Sequence, residues 1–197
     1  MGQRRRRRAG EALSTAATEA LGALQLVDAA LRERYPDGRV PHPLADHPDA
    51  PAGIIVRHAD ALALVGLDIR GEGGGEWSLY VIGLLSVGGG DIDASLEWVN
   101  ERNRRFGIGR YCSAASREAG VCAVTYDTWI PGAAFAACMR AEPREADTRL
   151  AAVLMGLIAH VIDTSARESR EAAEITDGRV PGAGEVDVQT LLVIALS

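Results

Sequence analysis

The chain has 197 residues, 47% of them hydrophobic, enough to bury a real core in one domain with appendages. All 21 basic residues are arginine, and the net charge is −6. An acidic body is repelled by nucleic acid and anionic membrane, which leaves such partners only Arg4 to Arg8, while three cysteines make no disulfide framework and point to reduced thiols in a cytoplasm.

Residues 1–10 hold that arginine block, which reads as a disordered, solvated start or else as a segment touching phosphates or anionic lipid. No secretory leader is expected, because Glu11 and Glu19 interrupt any apolar run. From Glu11 to Arg34, Leu13, Ala17, Ala20, Leu24, Val27 and Leu31 recur at the spacing of one helical face. Pro36, Asp37 and Gly38 stop that helix. Segment 36–52 carries five of the eight prolines, which fix φ and lack a donor, so an extended loop is expected. His42 and His47 lie in it, but a zinc site needs three or four ligands at set spacing and no further cluster follows, so no metal is expected.

Three apolar runs, Ile54 to His58, Ala61 to Ile69 and Trp77 to Leu85, predict an antiparallel meander. In the third, Trp77, Leu79, Val81 and Leu85 point one way and Ser78, Tyr80, Ile82 and Leu84 the other, so neither face is plainly wet. One face is expected to meet helices and the other a partner. Gly71 to Glu76 lacks the GK[ST] and following helix of a phosphate loop, and Gly88 to Asp91 has the wrong spacing for a dinucleotide fingerprint. Both read as turns, and no cofactor is expected.

Asp91 or Asp93 can cap a helix whose inward stripe is Ile92, Leu96, Val99, Asn103 and Phe106, with Glu97, Glu101, Arg102, Arg104 and Arg105 on the wet side and Gly107 as the stop. A hairpin turning at Ser116 to Ala119 then sets Cys112 opposite Cys122, with Ile108, Cys112, Ala114, Cys122, Val124 and Tyr126 on one face. That register would allow a reversible disulfide between the two thiols. After Ile130 comes a loop or short helix. A last long helix follows Pro143, apolar over most of its circumference at Leu150, Val153, Leu154, Leu157, Ile158, Val161 and Ile162. This breadth predicts the sheet on one side and a second copy of the chain on the other. His160 has no Ser or Cys placed to use it and reads as a core residue, so no catalytic residue is assigned and no enzyme is expected. Residues 165–197 read as a polar linker and an apolar end. Its run Leu191 to Leu196 is far short of the roughly 20 residues of a membrane span, and is a docked extra strand or an aggregation hazard.

The order α-β-β-β-α-β-β-α over residues 11–164 predicts an α+β fold, a single domain with an antiparallel sheet and flanking helices. The run LEWVNERNRRFGIGRYCSAASREAGVCAVTYDTWIPG begins at Leu96, with a V-N-x-x-N helix end at Val99, Asn100 and Asn103 and a G-R-Y strand start at Gly109, Arg110 and Tyr111. In this run and in its element order the chain resembles the YbjN-like family and the type III secretion chaperone-like fold that the family shares. The resemblance implies a small acidic homodimer that binds peptide segments of a partner protein and performs no reaction. A sheet edge can accept a partner strand, with Trp77, Leu79, Val81, Trp129 and Phe135 holding its side chains; the other reading of these five is core. The alternative function is a regulatory protein whose Arg4 to Arg8 contact nucleic acid or anionic surfaces.

Overall fold

The computed structural model describes residues 2–42, 53–70, 76–105, 107–116, 121–140 and 145–181. Along the chain lie α1 (Gly2–Arg34), β1 (Arg39–His42), β2 (Gly53–His58), β3 (Ala61–Arg70), β4 (Glu76–Gly89), α2 (Ile92–Asn103), β5 (Arg110–Ser116), β6 (Val121–Pro131), α3 (Gly132–Arg140) and α4 (Glu145–Ile175). The strands form one six-stranded sheet in the order β1-β2-β3-β4-β6-β5, antiparallel throughout. The architecture is α+β, with helices flanking an antiparallel sheet. It adds β1, an edge strand within the proline-rich segment, to the expected order, and the stretch after β6, expected as a loop or short helix, is the helix α3. Helix α1 begins at Gly2, so the backbone of residues 2–10, expected as a disordered start, is helical.

One face of the sheet carries the helices. Val56, Val65, Leu79, Val81, Leu85 and Val124 pack there with Leu24, Val27 and Leu31 of α1 and Leu154, Ile158, Val161 and Ile162 of α4. At 20–33 cal/mol per Å² of apolar surface removed from water, each such side chain contributes roughly 1.5–3 kcal/mol. Helix α4 packs on β2, β3, β4 and β6 and also against α2 and α3, so most of its broad apolar surface is used within the chain; Val153 stays exposed.

The linker expected from residue 165 is instead the second half of α4, which runs to Ile175. Ser165 and Ser169 are buried there, as is Thr176 just past its end. Their hydroxyls fold back onto the helix: Ser165 Oγ donates to the Val161 carbonyl at 2.8 Å, Ser169 Oγ to that of Ser165, and Thr176 Oγ1 to that of Ala172 at 2.8 Å. A hydroxyl satisfied by its own helix can be buried at little cost, which is why a polar sequence sits in a core. Gly83 lets the helix approach, since a Cβ there would strike Ser165.

Helix α2 is capped as its sequence predicts, with the Ala94 amide donating to Asp91 Oδ1 at 2.9 Å. It ends at Asn103 rather than Gly107, and its buried side is Ser95, Trp98 and Val99, while Leu96 is exposed. Both differences have one cause. The Asn103 side chain accepts from the Tyr111 amide at 2.9 Å and donates to the Tyr111 carbonyl at 2.8 Å, acting as a short strand beside β5. This fixes the helix rotation that turns Trp98 inward. Arg102, expected on the wet side, stacks over the Trp98 ring at 4.8 Å and pairs with Glu171 and Glu168 of α4. Phe106 lies outside the described residues.

The β5–β6 register also departs from expectation. Cys112 pairs with Thr125 and Ala115 with Cys122, three residues along from the predicted Cys112–Cys122 pair. Because side chains alternate, an odd slip moves one strand's set to the other face. Tyr111 therefore packs beside Tyr126 under the helices, whereas Cys112 faces away and Cys122 packs near Asp91 on the helix side. The two thiols lie on opposite faces and cannot form the disulfide that the predicted register would allow.

Candidate functional site

Register fixes which side chains share the face opposite the described helices. One row across the sheet runs Ile55, Leu64, Ile82, Asp127 and Arg110, and the next runs Leu62, Leu84, Thr125 and Cys112. The apolar members of these rows join Tyr80, Val87 and Ala123 in a second cluster that, among the described residues, contains strand residues alone, each at most 6% exposed. Tyr80 lies across Gly66, where an added Cβ would fall on its ring. At the rim Trp129 is 48% exposed, its ring centroid 5.5 Å from that of Tyr80.

A polar margin borders this cluster along β5 and β6. Asp127 Oδ1 is buried without a hydrogen-bond partner among the described residues. Burial pushes the Asp127 carboxyl up to about 6, against hydrogen bonds from Thr125 and Cys112 and the charge of Arg110. Burial likewise pushes the Cys112 thiol up to about 11, helped by the Asp127 charge, so at neutral pH it is a protonated, weak nucleophile. The margin offers an acceptor to an incoming N–H group and no activated nucleophile.

The sheet's two edges are blunted. Pro41 in β1 has no amide to donate, and the outward amide and carbonyl of Tyr111 in β5 are taken by Asn103. Both edges therefore accept an added strand poorly.

Four of the five predicted partner-binding residues lie elsewhere. Trp77, Leu79, Val81 and Phe135 are buried in the helix-covered core, with the rings of Trp77 and Phe135 6.1 Å apart. A partner could reach them only by unpacking the helices. Trp129 alone of the five is exposed. The residues that sequence reasoning left aside, Tyr80, Ile82 and Leu84, make the second face; their alternation with Trp77, Leu79 and Val81 was the available signal. Nothing in the sequence announced that Asp127 would stand beside Ile82, since that depends on the register of β4 with β6.

Two further clusters tie elements together on the helix side. Tyr35 Oη donates to Asp163 Oδ1 at 2.6 Å and the Arg34 guanidinium to Asp163 Oδ2 at 2.6 Å, fastening the end of α1 to α4; burial, with the bond to Asp163, pushes the Tyr35 phenol up to about 12. His160 Nε2 is 3.3 Å from Tyr126 Oη, which accepts from the Gly109 amide at 2.8 Å, so this histidine has the side-chain partner of a core residue. Among the described residues no group of three or more His, Cys, Asp or Glu is placed to hold a metal ion, and His47 lies outside them.

No family model, no curated protein and no solved structure matches this chain. Among the described residues no helix is long and apolar enough to cross a membrane.

Proposed function

We propose that the chain is a non-catalytic protein-binding module, a small acidic cytoplasmic chaperone or adaptor whose second sheet face takes an apolar segment of a partner protein. One observation carries this reading: a contiguous apolar cluster, built among the described residues of strand side chains alone and lying opposite the described helices, with Trp129 half-exposed at its rim. Natural sheets with one free face line it with polar residues, so an apolar one is made to be covered. The net charge of −6 favours basic or amphipathic segments, and Asp127 gives such a segment a polar anchor at the margin. Helices gathered on one side of an antiparallel sheet are in keeping with the YbjN-like and secretion chaperone-like resemblance, in which the chain would work as a homodimer.

The test is titration of the tagged full-length protein with basic-apolar, acidic-apolar and wholly polar peptides, read by tryptophan fluorescence, with the mass of each complex taken from light scattering. Binding of the basic-apolar peptides that weakens in Trp129→Ala supports the reading. No binding of any peptide, or binding only of nucleic acid through Arg4 to Arg8 that is lost at high salt, overturns it.

A further inference from the structure

Among the described residues one buried side-chain oxygen has no hydrogen-bond partner, and it is Asp127 Oδ1 at the margin of the second face. A buried acceptor left bare is costly to a fold, and for the same reason it favours any group that can fill it. Register explains why the sheet does not. Strand β6 sets Asp127 beside Ile82 of β4, which has no donor, and beside Arg110 of β5. Arg110 is exposed, and its guanidinium makes no bond to Oδ1. Thr125 and Cys112 hydrogen-bond to the carboxyl, so their bonds fall to its other oxygen. Asp127 is only partly buried as a residue, which keeps this carboxyl at the rim of the face.

A cationic N–H group is the chemistry that suits it. An ionised carboxylate accepts such a bond at roughly twice the strength of a neutral pair, whereas a protonated carboxyl has lost the charge and carries a hydrogen of its own. Both forms are within reach of ordinary pH, because burial pushes the Asp127 carboxyl up to about 6.

We infer that Asp127 is a proton-operated gate on the second face: as a carboxylate it takes the guanidinium or ammonium group of a basic-apolar segment on Oδ1, and a proton on the carboxyl displaces that group. The gate rests on the peptide-binding reading and adds its regulation. Binding sends the proton to solvent as the N–H···O contact replaces the O–H bond.

The surroundings leave this titration to Asp127. From β5 it is faced by the Arg110 charge, which is constant, and by the Cys112 thiol, which burial pushes up to about 11 and so keeps protonated. On β4, Tyr80 beside Ile82 lays its phenol across Gly66, where burial and the charge of Asp68 keep it neutral. His160 lies with Tyr126 on the helix side, and among the described residues no helix joins the second cluster. Only the ionised fraction is competent to bind, about a tenth at pH 5 and nearly all at pH 7.5, so affinity should rise about tenfold across that range.

The test uses the full-length protein and its Asp127→Asn variant, titrated by calorimetry with an acetylated, amidated peptide of alternating arginine and leucine, whose charge does not change over the range. Binding is measured from about pH 5 to pH 7.5, and at pH 6 in two buffers of different ionisation heat. The parent is expected to bind about tenfold more tightly at the upper end and to release about half a proton per peptide at pH 6. The variant keeps an acceptor oxygen but cannot ionise, so its binding should be weaker at pH 7.5, flat with pH and free of proton release. A flat profile in the parent, or one slope shared by both proteins, overturns the gate and leaves the peptide-binding reading standing. Tightening toward acid also overturns it, since the neutral carboxyl would then be the form that binds. If neither protein binds the peptide at any pH, the peptide-binding reading fails and the gate fails with it.

Discussion

Replacing Asp127 with asparagine tests the second face through a single charge. The carboxyl stands at about 6 in the fold against 3.8 ordinarily, and burial is the main cause. Roughly two units at 1.36 kcal/mol each mean that the charged form costs the fold about 3 kcal/mol. Between about pH 4 and pH 6 the folded state holds this proton more often than the unfolded state does. The contribution of Asp127 therefore makes stability fall as pH rises through that window and stay low above it. Asp127→Asn keeps the size and removes the charge. The stability of the variant minus that of the parent should be smallest below about pH 4, then rise by about 2–3 kcal/mol and level off above about pH 7. Urea unfolding of both proteins at intervals from about pH 4 to pH 8 gives this difference directly, and contributions of the other carboxylates cancel in it. A difference that is flat with pH, or that grows toward acid, would refute the picture of a carboxylate buried beside an apolar sheet face.

Three other changes probe other joints. Gly66→Ala should cost roughly 1–3 kcal/mol by forcing the Tyr80 ring off the sheet, and an unchanged urea midpoint would show that this ring does not lie there. Arg102→Ala removes the guanidinium that stacks on Trp98 and pairs with Glu168 and Glu171, for an expected loss of about 1–3 kcal/mol; Arg102→Lys should recover less than half, because an ammonium neither stacks nor forks, and full recovery would argue against the stacked geometry. Cys112 should alkylate roughly a hundredfold more slowly at pH 8 than a peptide thiol, and mild oxidation should leave no Cys112–Cys122 disulfide, with peptide mapping as the readout and that bridge as the refuting product.

The sequence by itself determined the elements whose signals are local. The meander from Gly53, the Asp91 cap, the α1 face of Ala20, Leu24, Val27 and Leu31, and the α+β class all follow from period and punctuation, which act within a few residues of each other. That both faces of β4 are apolar was likewise written in its alternation. Only the tertiary structure decided which face the helices took, and with it the fate of the candidate site: Trp77, Leu79, Val81 and Phe135 went under the helices, and Tyr80, Ile82 and Leu84 to the side opposite them. Alternation is symmetric between two sides, so no count along one strand can break that tie. The β5–β6 register, the inward turn of Trp98 and the continuation of α4 past Thr164 were hidden for a related reason. Each depends on a contact distant in sequence: the three-residue slip to Cys112–Thr125, Asn103 on Tyr111, and Ser165 over Gly83, where a glycine and a self-bonded hydroxyl let a polar helix enter a core.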